Sequence, residues 1–334
     1  MNTPLKKVLV TGATGLVGRF VVKQLLEEGY YIKAFAKIEE KFIHTLPTHP
    51  SVEWIPGDIL DLIDLEKAME DVEYIVHAAA FVSLNPFKRK EVLQINVEGT
   101  ANVINLALKK NIKKFIHLSS VTTIGYSEKP IKVDEKNKID VSLSNLAYAQ
   151  SKILSEREAW RGATEGLPVI ILNPSTIIGP GDWERGSTQL FKYVSEQHKF
   201  YVDGIFNYVD VRDLSKAISL LLKSDLENEQ FIVTAGTILY KDLFAKIANE
   251  FQVKPPSIKI PKLIMRIIAF FETIKQGLFK SKKDPIITKE MIHEASNKSI
   301  YLNEKIKKQL SISFHSIDET IPWVCEELRK KIVK

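Results

Sequence analysis

The chain has a single cysteine, Cys325, among 334 residues. An internal disulfide is therefore excluded, which agrees with a reducing compartment. No stretch of 18 uninterrupted apolar residues occurs, so no segment is expected to span a membrane. Only seven residues precede the first apolar run at Val8, which leaves no room for a secretory leader, and a cytoplasmic location is the expectation. The seven histidines and one cysteine show no ligand spacing, so no metal is expected. Internal repeats, low-complexity tracts and Pro/Gly/Ser linkers are missing as well. What is present is 45% hydrophobic and 26% charged, the composition of a water-soluble globular protein, at a length that predicts one large domain with a smaller one attached.

The net charge of +6 is unevenly placed. Residues 254–334 hold 17 Lys and Arg against 9 Asp and Glu, so this segment carries +8 and the remainder is slightly acidic. Its lysines are not interleaved with aromatics and form no nucleic-acid module, so a solvated basic face is expected and no nucleic-acid partner.

The first half alternates β-branched runs with amphipathic stretches, the pattern of a parallel sheet covered by helices. The runs are 7–11, 31–36, 52–55, 74–77, 114–118 and 168–172. Between them, 16–28, 62–70, 89–109 and 147–164 carry apolar residues at spacings of three and four, as crossover helices do. After Pro174 the rhythm changes to Gly179, Pro180, Gly181 and Gly186, where the chain is expected to leave the sheet. Returns to it are predicted at 208–211 and 230–234. The remainder reads as helical, including 263–279, whose apolar positions 264, 267, 268, 271, 274 and 278 share one face; core packing is expected over an interfacial membrane helix, because Arg266, Glu272 and Lys275 are of mixed sign. The expected organisation is a sheet domain over 1–175, with returning segments at about 206–237. A smaller, mostly helical substrate domain takes about 176–205 and 238–334.

The strongest local signal is the run Val8, Leu9, Val10, Thr11, Gly12, Ala13, Thr14, Gly15, Leu16, Val17, Gly18, a strand entering glycines at spacing three and then a helix. Such glycines let the backbone turn tightly and approach a pyrophosphate, while the helix start offers unpaired N–H groups and partial positive charge. Thr11, Gly12, Thr14, Gly15, Leu16, Val17 and Gly18 are the candidate phosphate cradle. The second strand ends in Phe35, Ala36, Lys37, without the acid that NAD-preferring folds use for the ribose hydroxyls. Lys37 would instead neutralise a 2′-phosphate, which favours NADP while leaving NAD open; an ordinary surface lysine is the plainer account. Asp58, with Ile59 beside it, is placed at the adenine end, or serves as a turn or helix-capping aspartate.

Tyr148, Ala149, Gln150, Ser151, Lys152 puts a phenol and an ammonium on one helical face. A phenol of ordinary pKa near 10 needs an adjacent cation to act as an acid or base at neutral pH. Ser119 and Ser120 end the fifth strand, on the same carboxyl edge as the glycine loop.

TGATGLVG, GDILD at 57–61, HAAA at 77–80, NVEGT at 96–100, HLSSV at 117–121, YAQSK at 148–152, NPSTIIGPGD at 173–182 and YVDVRDLS at 208–215 follow one another along the chain. Taken together, the sequence resembles the extended short-chain dehydrogenase/reductase superfamily, the NAD-dependent epimerase/dehydratase family, over nearly its whole length. The resemblance implies an α/β fold with a Rossmann-type doubly wound parallel sheet. It implies Tyr148 as acid/base, Lys152 on the nicotinamide ribose and lowering the Tyr148 pKa, and Ser120, or else Ser119, on the reacting oxygen. Ala78, Ala79 and Ala80 would line the nicotinamide side, Asn96 would support the central helix, and Asn173 and Pro174 would shape that end of the pocket. His77 and His117 read as core histidines.

Two departures bear on the branch. Asn173 leans toward nucleotide-sugar epimerases, whereas Phe206 stands where those enzymes place a diphosphate-binding arginine. Phe81, Val82, Tyr126, Trp183 and Phe206 would form an apolar pocket wall. The expectation is an NAD(P)-dependent oxidoreductase interconverting a carbonyl and a secondary alcohol, most similar to the dihydroflavonol-reductase branch, with a small-molecule substrate and a homodimer allowed. The alternatives are a nucleotide-sugar epimerase or dehydratase, and a non-catalytic dinucleotide-binding regulator.

Overall fold

The computed structural model describes residues 5–38, 46–137, 146–279 and 288–332. The chain begins with β1 (Lys7–Thr11), α1 (Leu16–Glu27), β2 (Tyr31–Ala36), β3 (Val52–Pro56), α2 (Leu62–Ala68) and β4 (Tyr74–His77). It continues through α3 (Arg89–Leu93), a π-helical turn Gln94–Glu98, α4 (Gly99–Lys109), β5 (Lys114–Leu118), β6 (Ile131–Val133), α5 (Ala147–Thr164) and β7 (Val169–Pro174). Then follow β8 (Thr176–Ile178), α6 (Thr188–Ser195), β9 (Phe200–Tyr201), β10 (Ile205–Asp210), α7 (Val211–Lys223) and β11 (Glu229–Val233). The last part comprises β12 (Gly236–Leu239), α8 (Tyr240–Phe251), β13 (Ile258–Lys259), α9 (Lys262–Phe279), α10 (Lys289–Ala295), β14 (Ser299–Tyr301), α11 (Glu304–Leu310) and α12 (Ile317–Ile332).

The central sheet has seven strands in the order β11-β7-β5-β4-β1-β2-β3, and every neighbouring pair is parallel. A strand exposes successive side chains to opposite faces, so a strand buried on both sides must be apolar throughout. In β1, Val8 and Val10 face Val21, Val22 and Leu25 of α1 and Leu214, Ile218 and Leu221 of α7. Leu9 faces the other way, onto Leu65 of α2, Val103 and Ile104 of α4 and Ala159 of α5. Two helical layers therefore close two cores on one sheet. Truncating Leu9, which has no exposed surface, to alanine would cost about 2–5 kcal/mol.

From β1 the chain order runs outward through β2 and β3 on one side and through β4, β5, β7 and β11 on the other. The reversal opens a crevice at the carboxyl ends of β1 and β4, where ligands of such sheets bind.

Two elements depart from the sequence reading. β10 does not rejoin the central sheet. It pairs with β8 and β12 in a separate three-stranded sheet, because its buried Phe206 and Tyr208 belong to the core formed with α6, α8 and α12. The return to the main sheet is made by β11 alone. The apolar stripe of α9 is also not core: Ile264, Ile267, Phe271 and Ile274 are exposed, and the buried side is that of Met265 and Ala269. The side chain at 278 lies outside the described residues.

Candidate active site

Gly12 follows β1 with φ of +68°, a conformation L side chains rarely adopt. A Cβ there would come within 2.7 Å of the Ala79 backbone nitrogen, and one at Gly18 within 2.1 Å of the Gly12 carbonyl oxygen. The loop thus lies directly on the Ala78–Ala79 backbone. Gly15 caps α1 with no side-chain hydrogen bond and no acid in the first turn, so the helix start presents its N–H groups and positive end unopposed. Thr14 is exposed at this rim, and Leu16 and Val17 are half-buried beside it. These residues fit a pyrophosphate.

The loop is held by a chain of hydrogen bonds whose directions follow from one another. The Ala79 N–H donates to Thr11 Oγ1 at 3.2 Å, which lies 2.8 Å from His77 Nδ1. His77 Nε2 lies 3.0 Å from Thr100 Oγ1, and the Thr100 hydroxyl donates to the Asn96 carbonyl at 2.6 Å. With its proton committed to that carbonyl, Thr100 accepts from Nε2–H. This leaves Nδ1 to accept from the Thr11 hydroxyl. Burial, with Lys152 nearby, holds His77 neutral and lowers its pKa to about 3. His77 is thus a connector between β1 and the π turn. His117, stacked on it at 5.6 Å, is also buried, and both ring nitrogens lack a hydrogen-bond partner among the described residues.

The π turn sets Asn96 between the two halves of the site. Its Oδ1 accepts from Phe81 N–H at 2.7 Å, while Nδ2 donates to the Phe81 carbonyl at 3.0 Å and to Ser151 Oγ at 2.9 Å. Asn96 therefore fixes the segment after Ala80 against α5.

Tyr148 sits in the first turn of α5, half-buried, with the Ser120 hydroxyl as a neighbour that favours its ionised form. Ser120 follows β5, and its Oγ accepts from the Thr122 N–H at 3.3 Å. Lys152, one turn along α5, is buried and donates to the Leu118 carbonyl at 2.8 Å. Burial lowers its pKa to about 8. Tyr148 departs from the expectation that its pKa would be depressed. Burial and the nearby Glu294 and Glu290 raise it, outweighing the opposing influence of Ser120, so the phenol is neutral at pH 7.

Glu290 and Glu294, on α10, escaped the sequence reading. Glu290 Oε1 accepts from the N–H groups of Tyr148 and Ala149 at 2.9 and 3.3 Å, capping α5 from a segment 142 residues away. The charge of Glu294, one turn further, reaches Tyr126, Tyr148, Tyr240 and Tyr301. Burial, reinforced by Glu290, raises the Glu294 pKa to about 7. The only available signal was the (i, i+4) carboxylate pair within an apolar helical pattern, which surface helices also show.

Other candidate residues are spread more widely. Ser119 donates to Glu156, away from the phenol. Asn173 is fully buried: its Nδ2 lies 3.0, 2.7 and 2.8 Å from the Ser120 carbonyl, Thr123 Oγ1 and Glu156 Oε2, and its Oδ1 accepts from Gln230. Its amide is consumed by protein partners. Pro174 ends β7 in register with Val233. Lys37 pairs with Asp58 at 3.0 Å, and Asp58 also accepts from Leu60 N–H. Although burial pushes the Asp58 carboxyl up, these two contacts hold it below the usual range. Ile59 is buried against Gly99. Tyr126 packs on Ala149 and Ile153 and stacks on His293 at 3.6 Å. Phe206 is one layer back, edge-on to Tyr240 at 5.4 Å. Trp183 packs 6.1 Å from Phe251 in the C-terminal core, and Val82 is exposed at the surface.

The doubly wound parallel sheet, with its glycine loop at the point of strand reversal, defines a Rossmann-type α/β protein. Residues 8–234 match the NAD dependent epimerase/dehydratase family, to which the chain belongs. It is accordingly an enzyme of a nicotinamide-dinucleotide-dependent family. It is 28% identical over 320 residues to a putative dihydroflavonol 4-reductase of Synechocystis sp., covering 93% of this chain and 91% of that one. A sterol demethylase protein B of Methylococcus capsulatus is 27% identical, covering 83% and 84%. Among solved structures, gox2253 superposes with a TM-score of 0.82 at 27% identity over 98% of both chains. The UDP-glucose 4-epimerase of Thermotoga maritima gives 0.77 at 19% identity over 98% and 99%, a likeness of fold.

Proposed function

We propose that the protein is an NAD(P)-dependent oxidoreductase interconverting a carbonyl and a secondary alcohol on a neutral, largely apolar small molecule. The observation that carries this reading is the Tyr148 phenol, with the Ser120 hydroxyl as its neighbour and Lys152 one turn away on the same helix. The dinucleotide, when bound, supplies or accepts the hydride. Ser120 and Tyr148 donate hydrogen bonds to the substrate oxygen, and the neutral phenol gives up its proton as that oxygen becomes an alkoxide. Lys152, positioned by the Leu118 carbonyl, holds the ribose and stabilises the phenolate left behind.

Two observations favour a neutral substrate over a nucleotide sugar. The two carboxyl groups beside the phenol, Glu290 and Glu294, are pushed toward their neutral form by burial, surroundings that suit a neutral substrate better than an anionic one. By the family resemblance, the buried aromatic Phe206 takes the position at which nucleotide-sugar epimerases carry a diphosphate-binding arginine. The names of the relatives, a dihydroflavonol reductase and sterol-processing enzymes, agree with such a substrate. The test is a turnover screen of apolar ketones and their alcohols against UDP-sugars, with each cofactor. Turnover of ketones alone is expected, and turnover of UDP-sugars alone contradicts the reading.

A further inference from the structure

We propose that the exposed face of α9 is a docking surface for an anionic lipid bilayer, on which the protein rests peripherally. Leu263, Ile264, Ile267, Phe270, Phe271 and Ile274 are all exposed, with Leu263 at 68%, Phe270 at 60% and Phe271 at 63%. At 3.6 residues per turn they fall within an arc of about 120°. Scattered exposed apolar residues are ordinary on a protein surface, but six large ones contiguous on a single helix face are not. The opposite side of the helix is satisfied: Met265 and Ala269 are buried with Ile292 of α10, against Val202, Ile260 and Ala295. The helix is therefore docked by one face and leaves the more apolar face to the outside.

Charge identifies the occupant. Arg266 and Lys275, both exposed, border the apolar arc on its two sides. Residues 254–289 contain nine Lys and Arg against two acids, Glu272 and Asp284. Of these, Glu272 turns inward, with a side chain only 14% exposed and Lys275 3.8 Å away. An apolar strip bordered by cations matches a bilayer interface bearing anionic headgroups, with rings and aliphatic chains entering the acyl boundary and the cations at phosphate level. No helix among the described residues is long and apolar enough to cross a membrane, so the contact is superficial. The same α9 packs on α10, which supplies Glu290 and Glu294 to the phenol, so a docked surface would adjoin the candidate active site.

The test is co-sedimentation of the full chain with vesicles of phosphatidylcholine alone and of phosphatidylcholine and phosphatidylglycerol in equal parts. Binding to the mixed vesicles is expected, weakening as salt is raised. The double variant Phe270→Ser, Phe271→Ser should lose at least about tenfold in partitioning. The double variant Arg266→Glu, Lys275→Glu should lose the preference for phosphatidylglycerol, and both variants should keep the wild-type melting temperature. Failure of the folded wild type to bind the mixed vesicles overturns the proposal, as does equal binding by wild type and both variants. Light scattering provides the other decisive outcome: a wild-type dimer that the phenylalanine variant dissociates would assign this face to a second copy of the chain.

Discussion

Asn173, which has no exposed surface, sets its Nδ2 against the Ser120 carbonyl, Thr123 and Glu156, and its Oδ1 accepts from the half-buried Gln230. Asn173→Ala leaves a buried carboxylate and a half-buried amide short of partners and should cost about 2–3 kcal/mol. Urea denaturation is expected to show that loss, while dinucleotide affinity measured by calorimetry stays within about threefold. A large loss of affinity at unchanged stability would return Asn173 to the cofactor site. Lys37 presents the opposite case, being 85% exposed and paired with Asp58. With no acid ending β2, NADP(H) should bind more tightly than NAD(H), and Lys37→Glu should invert the order. Wild-type binding of NAD(H) at least about tenfold tighter, or about 1.4 kcal/mol, contradicts this. The placement of Tyr148 and Lys152 on one helix and of Ser120 just past a strand was legible in the sequence from helical spacing and the β-branched run before it, while the roles proposed for them come from the family resemblance. The network around Asn173 was not, because Glu156, Thr123 and Gln230 come from three separate elements and no local pattern links them.

Among the elements, α10 shows most clearly what a sequence conceals. It caps α5 through Glu290 and sets Glu294 beside Tyr148, yet nothing in residues 289–295 announces a partner 142 residues away. The carboxyl of Glu294, raised from its ordinary 4.5 to about 7, has a pH signature. Between those values the folded protein keeps a proton that the unfolded chain has already released, so this group's contribution to stability falls as pH rises from about 4.5 to 7 and levels off above. Glu294→Gln should remove that slope and be more stable than wild type at pH 8, as read from urea midpoints across pH. Parallel midpoints in the two proteins would place the Glu294 carboxyl in solvent. The same variant should let the Tyr148 phenol ionise at lower pH, shifting the basic limb of carbonyl reduction downward. The crossover helices and the first strands of the sheet were readable from period alone. The π turn within the predicted 89–109 helix was not, since its one extra residue per turn answers to the tertiary fit of Asn96 between Phe81 and Ser151.

For the molecule as a whole, doubly buried strands leave continuous apolar runs, so the parallel sheet was evident. The C-terminal half was harder to read. β10 is as apolar as a central strand but pairs with β8 and β12, because pairing partners are not encoded by hydrophobicity. The stripe of α9 was taken for core because an outward apolar face and an inward one have the same period. The first turn of α5 receives Glu290 from α10, and the same turn carries the Tyr148 phenol. The account as a whole depends on that phenol being the proton donor. The most direct test is Tyr148→Phe, assayed on a substrate the wild type converts: turnover should fall by roughly 10²-fold or more with dinucleotide affinity retained. Turnover near the wild-type level would contradict the mechanism and leave the protein a dinucleotide-binding fold whose chemistry lies elsewhere.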